Sequence, residues 1–251
     1  VTVQCGMPLE KLETFLNQKG YTTGHFPQCL PLANIGGLIA TRSIGQFSTL
    51  YGGIEELVVG LEAVMPNGEV VRIKNVPRRA AGPDLRHLFI GSEGALAFIT
   101  EATLKIFPYL PDERWMHAYA VKGMKHGLDL IRDIMVQGYK PAVIRLHDQS
   151  EVEISFGGIA PSGYSLLLFL ADGPKPITDA IGKAISDVVK DYDTIDLGTK
   201  PVESWLATRN DVAYEMDSDK YYQLGLIADT CEVSANWSEI GYIYEAVLSR
   251  V

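Results

Sequence analysis

Residues 91–108 read GSEGALAFITEATLKIFP. Gly91 and Gly94 bracket a serine and a glutamate, a pattern that predicts a tight turn. From Ala95 to Phe107 the residues are typical of one or two β-strands, and Pro108 ends the pattern. Glycine lets a backbone approach a phosphate or a ring without a Cβ in the way. The turn is therefore a candidate for contacts with a nucleotide.

Two further glycine-rich segments precede this turn, one running from Gly24 to Gly37 and the other from Thr41 to Gly52. Hydroxyls such as those of Thr41 and Ser43 could donate to phosphate or ribose oxygens. The spacing in all three segments differs from Rossmann and P-loop patterns, so neither a nicotinamide site nor a Walker site is indicated. A single glycine is more often a turn residue than a ligand contact. Spacing alone leaves both a nucleotide site and plain loops open.

Composition narrows the class of protein. The chain has 251 residues, 47% of them hydrophobic, which allows one large or two modest domains. Its net charge of -9 argues against nucleic acid as a partner. The cysteines are few, odd in number and far apart, which predicts no metal site and reduced thiols in the cytoplasm. The longest apolar run, Tyr164–Ala171, is too short to span a membrane.

Hydrophobic periodicity divides the chain near Pro108–Asp112. Before that point the pattern predicts a strand at 1–5, a helix from Leu9 to Leu16, no regular structure at 21–53, and a hairpin of 54–65 with 69–73. After it, strands alternate with amphipathic helices. The predicted strands of this second part are 115–121, 142–146, 164–171 and 225–233. Strand-helix-strand repeated twice indicates a ferredoxin-like α+β sandwich.

Longer motifs give a resemblance to a known family. The quoted stretch 91–108, together with GHFP at 24–27, IGGLIATRSIG at 35–45 and YGGIEELVVGLEAVMPNGEV at 51–70, resembles the FAD-binding domain of the vanillyl-alcohol oxidase and p-cresol methylhydroxylase superfamily. PAVIRLHD at 141–148 and LGTKPVESWLATRND at 197–211 are similar to the cap domain of the alkyldihydroxyacetonephosphate synthase family. The resemblance covers nearly the whole chain.

The resemblance implies an α+β fold in which residues 1–108 form the second half of a p-cresol methylhydroxylase-type FAD-binding domain. Residues 109–251 would then form a ferredoxin-like cap that is incomplete at its C-terminus. It also implies FAD as a noncovalently bound cofactor, contacted largely through backbone groups. The implied contacts are Gln28, Cys29, Leu30, Pro31, Leu32, Ala33, Asn34, Gly36, Gly37, Thr41, Arg42, Ser43, Ile44, Glu93, Gly94, Ala95, Leu96, Ala97, Phe98 and Ile99.

The substrate implied by the resemblance is a small, anionic molecule. Arg145 alternates with apolar neighbours in a predicted strand, and its guanidinium could reach such a substrate or pair with Asp148 or Glu151. His25 could face the flavin or substrate, although a hydrogen bond within its turn is the commoner role for such a histidine. The resemblance assigns no catalytic residue in this chain and leaves the oligomeric state open, with a homodimer as one arrangement.

Three functions remain open at this point. An intact enzyme of this type would either perform the synthase's exchange of an acyl for an alkyl group on a ketone phosphate or oxidise a D-2-hydroxy acid such as lactate or glycolate. The third function is a non-catalytic module descended from a flavoenzyme. The family's pyrophosphate loop is expected before residue 1, and its catalytic tyrosine and histidine cluster after residue 251. We therefore expect an internal fragment that is inactive alone.

Overall fold

A computed structural model describes residues 1–76, 80–211, 223, 225 and 231–250. The chain forms two compact units that divide between Leu110 and Pro111, and a short segment beginning at Arg209 belongs to the first unit. The second unit contains Pro111–Thr208 and the described C-terminal residues. No helix within these described ranges is both long and apolar enough to cross a lipid bilayer.

The first unit is built on a four-stranded antiparallel sheet. Its strands are β1 (Thr2–Gln4), β3 (Val58–Val64), β4 (Val70–Ile73) and β5 (Phe98–Leu104), and their order is β1-β5-β3-β4. A separate pair joins β2 (Tyr21–Thr22) to β6 (Phe107–Pro108). The motif at 91–108 therefore forms a turn followed by the strand that lies between β1 and β3.

Within the described residues, five helices accompany this sheet. They are α1 (Leu9–Asn17), α2 (Ile35–Ala40), α3 (Ser48–Tyr51), α4 (Ile54–Leu57) and α5 (Arg86–Phe89). Helix α1 buries Leu9, Leu12 and Leu16, which are spaced as one helical face. The prediction of no regular structure at 21–53 was wrong at α2, where the Asn34 side chain caps a short helix. The prediction of a strand from residue 54 was wrong over 54–57, which form a helical turn.

The second unit contains another four-stranded antiparallel sheet. Its strands are β7 (Trp115–Lys122), β8 (Val143–His147), β9 (Tyr164–Ala171) and β10 (Thr194–Gly198), and their order is β10-β7-β9-β8. Helix α6 (Gly123–Val136) connects β7 to β8, and α8 (Lys175–Val189) connects β9 to β10. Numbered within the unit, the strand order is 4-1-3-2 with one helix in each half. This is the ferredoxin-like topology, so the predicted fold class is confirmed.

Both faces of this sheet are covered. On one face, Tyr119 and Phe169 of the sheet pack with Leu130 of α6 and Ile185 of α8 in the core of the unit. Helices α7 (Gln149–Ser155) and α9 (Lys200–Thr208) pack against the sheet as well. The last helix, α10 (Ile240–Leu248), packs on α6. The sequence did not predict α7 or α9.

The sequence predicted a strand at 225–233, whereas the fourth strand of this sheet is β10 (Thr194–Gly198). Residues 231–233 form no strand, and 226–230 lie outside the described residues. Strand β10 pairs only with β7 in the sheet and sits at its edge. Asp196 in the middle of β10 is exposed, so the apolar pattern that marks a buried strand is weak there.

Candidate functional site

The start of α2 is fixed against the end of β1. The amides of Ile35 and Gly36 donate to the carbonyl oxygens of Met7 and Cys5, at 3.0 and 2.7 Å. The amide of Gly37 donates to the Asn34 side chain at 2.7 Å. A Cβ on Gly36 would lie 2.8 Å from the Cβ of Cys5, which explains why glycine is needed there. The close approach at Gly36 is therefore made to the protein's own strand.

The segment before α2 is also bonded internally. The amide of Leu30 donates to the carbonyl oxygen of Pro27 at 3.0 Å, and the amides of Leu32 and Ala33 both donate to that of Cys29 at 2.9 Å. With the three amides at the start of α2, six donors between residues 30 and 37 are already used within the protein. This stretch consequently supplies shape more than free hydrogen-bond donors.

The turn at 91–97 is attached to the other end of α2. The amide of Gly91 donates to the carbonyl oxygen of Ile39, and the amide of Glu93 to that of Ala40, both at 3.0 Å. Glu93 has φ 49°, a left-handed conformation that is uncommon outside glycine and often marks a functional site. In the described part of the chain, the amides of Gly94, Leu96 and Ala97 donate no hydrogen bond. These three amides are therefore not committed to any described group.

A cavity of 620 Å³ opens between these two elements, within the size range of small-molecule sites. It brings together eight of the residues predicted to contact the cofactor. They are Asn34, Gly36, Gly37, Glu93, Gly94, Ala97, Phe98 and Ile99. Ala40, Thr100 and the three residues Gln4, Cys5 and Gly6 complete the lining.

The sequence did not identify the wall formed by Gln4, Cys5 and Gly6. The sequence carried only an indirect signal for this wall. The wall follows β1, and β1 pairs with β5, the strand that continues the 91–94 turn. Cys5 is buried, and burial followed by the negative charge of Glu101 raises the pKa of its thiol to about 11. The thiol is protonated at neutral pH and is a poor nucleophile.

Twelve predicted contacts lie outside the cavity lining. They are Gln28, Cys29, Leu30, Pro31, Leu32, Ala33, Thr41, Arg42, Ser43, Ile44, Ala95 and Leu96. Several of them are large apolar side chains that remain exposed, among them Leu32, Ile44 and Leu96. Phe98, which does line the cavity, is 73% exposed.

Residues 41–44 form a second group of contacts beside the end of α2. The Thr41 hydroxyl donates to the carbonyl oxygen of Gly37 at 3.0 Å, so it is already used within the helix. Arg42 has φ 55°, and its Nε lies 3.4 Å from the Glu55 carboxylate. The Ser43 hydroxyl lies 3.2 Å from His25 Nε2.

His25 is almost fully buried, and burial lowers its pKa to about 4 despite the opposing charge of Glu55. The ring is therefore neutral at pH 7, and its hydrogen bond to Ser43 lies in the interior. Its other nitrogen, Nδ1, is buried and has no partner among the described residues.

Arg145 lies in the second unit, on β8. Among the described residues it forms no ion pair with Asp148, which caps α7, or with Glu151, although the charge of Glu151 still stabilises the guanidinium. Its Nε is buried without a described hydrogen-bond partner, and burial lowers the pKa of the guanidinium. An anion bound near this half-buried guanidinium would satisfy its buried donor, so the anion-binding interpretation stays open beside the attraction of Glu151.

Part of the first unit is similar to a known family of FAD-binding domains. Residues 1–74 match the family FAD_binding_4, described as FAD binding domain. This match indicates FAD and confirms the cofactor predicted from the sequence.

Three known proteins illustrate the relationship. The uncharacterized FAD-linked oxidoreductase YgcU of Escherichia coli O157:H7 is 49% identical over 253 residues, which cover 100% of this chain and 52% of that protein. A mitochondrial D-lactate dehydrogenase [cytochrome] 1 of Saccharomyces cerevisiae is 42% identical over 106 residues, which cover 42% of this chain and 18% of that protein. A solved alkyldihydroxyacetonephosphate synthase superposes with a TM-score of 0.76 and 27% identity, covering 86% of this chain and 42% of that one.

These comparisons confirm the resemblance to FAD-linked oxidases and to alkyldihydroxyacetonephosphate synthase that the sequence predicted. The chain spans about half the length of YgcU. The described residues also fit a dinucleotide on structural grounds. The amides of Gly94 and Ala97, two residues that line the cavity, have no described partner, and neither does the buried Ser92 hydroxyl nearby.

Proposed function

We propose that the cavity between α2 and the 91–97 turn binds part of FAD noncovalently, and that Arg145 binds a small anionic substrate. The main supporting observation is that residues of two separate motifs, within 34–37 and 93–99, line one cavity. The amides of Gly94 and Ala97 in the second motif have no partner in the described part of the chain. Residues 41–44 would contact the cofactor outside this cavity. Bound FAD supplies the redox chemistry, and this chain's residues hold it and orient the substrate.

The three unpaired cysteines support a reducing, cytoplasmic setting for this enzyme. The structural match favours chemistry of the synthase type, because the likeness extends over 86% of the chain. D-2-hydroxy acid oxidation is the second candidate, supported by the D-lactate dehydrogenase relative. Assays of the full reading frame with D-lactate and a dye acceptor, and with an acyl ketone phosphate and a long-chain alcohol, would separate the two reactions.

The first test is the visible spectrum of the protein expressed from its full reading frame. Absorbance near 370 and 450 nm, roughly the range of any oxidised flavin, is the expected result. Acid precipitation should release the flavin into the supernatant if the attachment is noncovalent. A colourless protein that does not take up added FAD would instead support the non-catalytic module.

Gly6 offers a specific test of the cavity. It lines the cavity, and a Cβ there would meet no atom within 4 Å, so a larger side chain fits without a clash. Gly6→Trp should fill the space and lower FAD occupancy by at least tenfold, whereas Gly6→Ala should keep it. Equal occupancy in both variants, with both folded by circular dichroism, would place FAD elsewhere.

A further inference from the structure

Trp205 lies on α9 and is 7% exposed. The Arg145 guanidinium carbon lies 5.3 Å from the centre of the Trp205 ring, within the range of a cation–π interaction. The sequence did not predict α9 and gives no sign of the contact between Trp205 and Arg145. The contact depends on α9, which packs against β7 and β9.

The surroundings of Arg145 make this contact important. Arg145 and His147 are two residues apart on β8, so both side chains project from the same face of the strand. Neither Arg145 Nε nor His147 Nε2 has a hydrogen-bond partner among the described residues. Among the described residues, no carboxylate forms an ion pair with the guanidinium. The charge of Glu151 attracts it without a direct contact, and the Trp205 ring is the group stacked on it.

We propose that Trp205 is a positioning residue that holds the Arg145 guanidinium ready for the carboxylate or phosphate of the substrate. This inference rests on the proposed role of Arg145. A flat aromatic face under the guanidinium favours one orientation of the group but leaves its N–H donors free. A carboxylate partner would occupy those donors and would compete with an incoming anion. Stacking thus orders the cation while leaving it available.

The test is calorimetric titration of oxalate, a planar dicarboxylate, into the protein expressed from its full reading frame. Arg145→Met should remove binding. Trp205→Leu should weaken it about tenfold, because a desolvated cation–π contact is worth roughly 1–2 kcal/mol. Trp205→Tyr and Trp205→Phe should retain most of the affinity, in that order. Trp237→Leu, which changes a different tryptophan of the same unit, should leave the affinity unchanged.

The possible results distinguish a failure of the inference on Trp205 from a failure of the proposed role of Arg145. Wild-type protein that binds no oxalate at millimolar concentration, or an Arg145→Met variant that binds normally, overturns both. Loss of binding in Arg145→Met together with normal binding in Trp205→Leu overturns the positioning role alone. If Trp205→Leu does not fold, Trp205→Met, which keeps a large apolar side chain without a ring, takes its place, and wild-type affinity in that variant overturns the positioning role. For a turned-over substrate, Trp205→Phe should raise KM more than it lowers kcat.

Discussion

At the scale of single residues, the two units each bury one neutral histidine. His25 in the first unit and His147 in the second are both almost fully buried, and burial lowers the pKa of each to about 4. For His147 the charge of Arg145 acts in the same direction as burial. Because these rings are neutral in the folded state, we expect low pH to reduce the stability of the fold.

The direction of the pH effect on stability follows from the number of protons bound by the folded and unfolded states. The ordinary histidine pKa of 6.5 describes the unfolded chain, which therefore binds more protons than the folded protein between about pH 6.5 and pH 4. Stability is present above pH 6.5 and is lost as the pH falls through this window. We expect His147→Leu to reduce the loss of unfolding free energy between pH 7 and 5 by about 1–2 kcal/mol.

Urea denaturation at the two pH values would measure this effect. His126→Leu is the matched control, because His126 lies exposed on α6, and it should keep the wild-type loss. An equal loss in His147→Leu and in the wild type would mean that His147 does not contribute to the acid sensitivity.

At the scale of elements, two glycines let the helices of the second unit approach the sheet. A Cβ on Gly182 of α8 would lie 2.5 Å from atoms of the Trp115 ring. A Cβ on Gly127 of α6 would lie 2.6 Å from a methyl group of Leu146. The first obstacle is a rigid ring and the second is the end of a flexible side chain.

We therefore expect unequal effects from the same substitution. Gly182→Ala should lower the free energy of unfolding by about 1–3 kcal/mol, because α8 or the ring must shift. Gly127→Ala should stay within about 1 kcal/mol of wild type, because Leu146 can move and alanine favours the helix. Urea midpoints of the two variants would measure the difference, and a larger loss for Gly127→Ala would contradict this account.

At the scale of the whole molecule, the division between Leu110 and Pro111 predicts two unfolding transitions. A ligand stabilises only the unit that binds it, by about 2.7 kcal/mol at a hundredfold excess over Kd. FAD should raise the midpoint of one calorimetric transition, and Gly182→Ala should lower the other. If FAD and Gly182→Ala both move a single transition, the units unfold together and this prediction is wrong.

The sequence predicted most of the sheet strands because their side chains are patterned by burial. Strand β9, with seven consecutive buried residues, is the clearest case. Edge strand β10 was missed because its polar residues break that pattern, and α2 was missed because its two glycines weaken a helical signal. Eight of the residues that line the cavity were predicted from sequence motifs. The wall at Gln4–Gly6 and the stacking of Arg145 on Trp205 required tertiary contacts that no local pattern encodes.

Six amides between residues 30 and 37 are already hydrogen-bonded within the protein, and this affects the free energy of ligand binding. A segment whose donors are already satisfied keeps its shape whether or not a ligand is present. Little conformational entropy is therefore lost in this segment when a ligand binds. Preorganisation of this kind depends on five backbone bonds, on the Asn34 side chain and on the missing Cβ of Gly36. The other side chains of this segment can therefore change while the shape of the segment beside the cavity is retained.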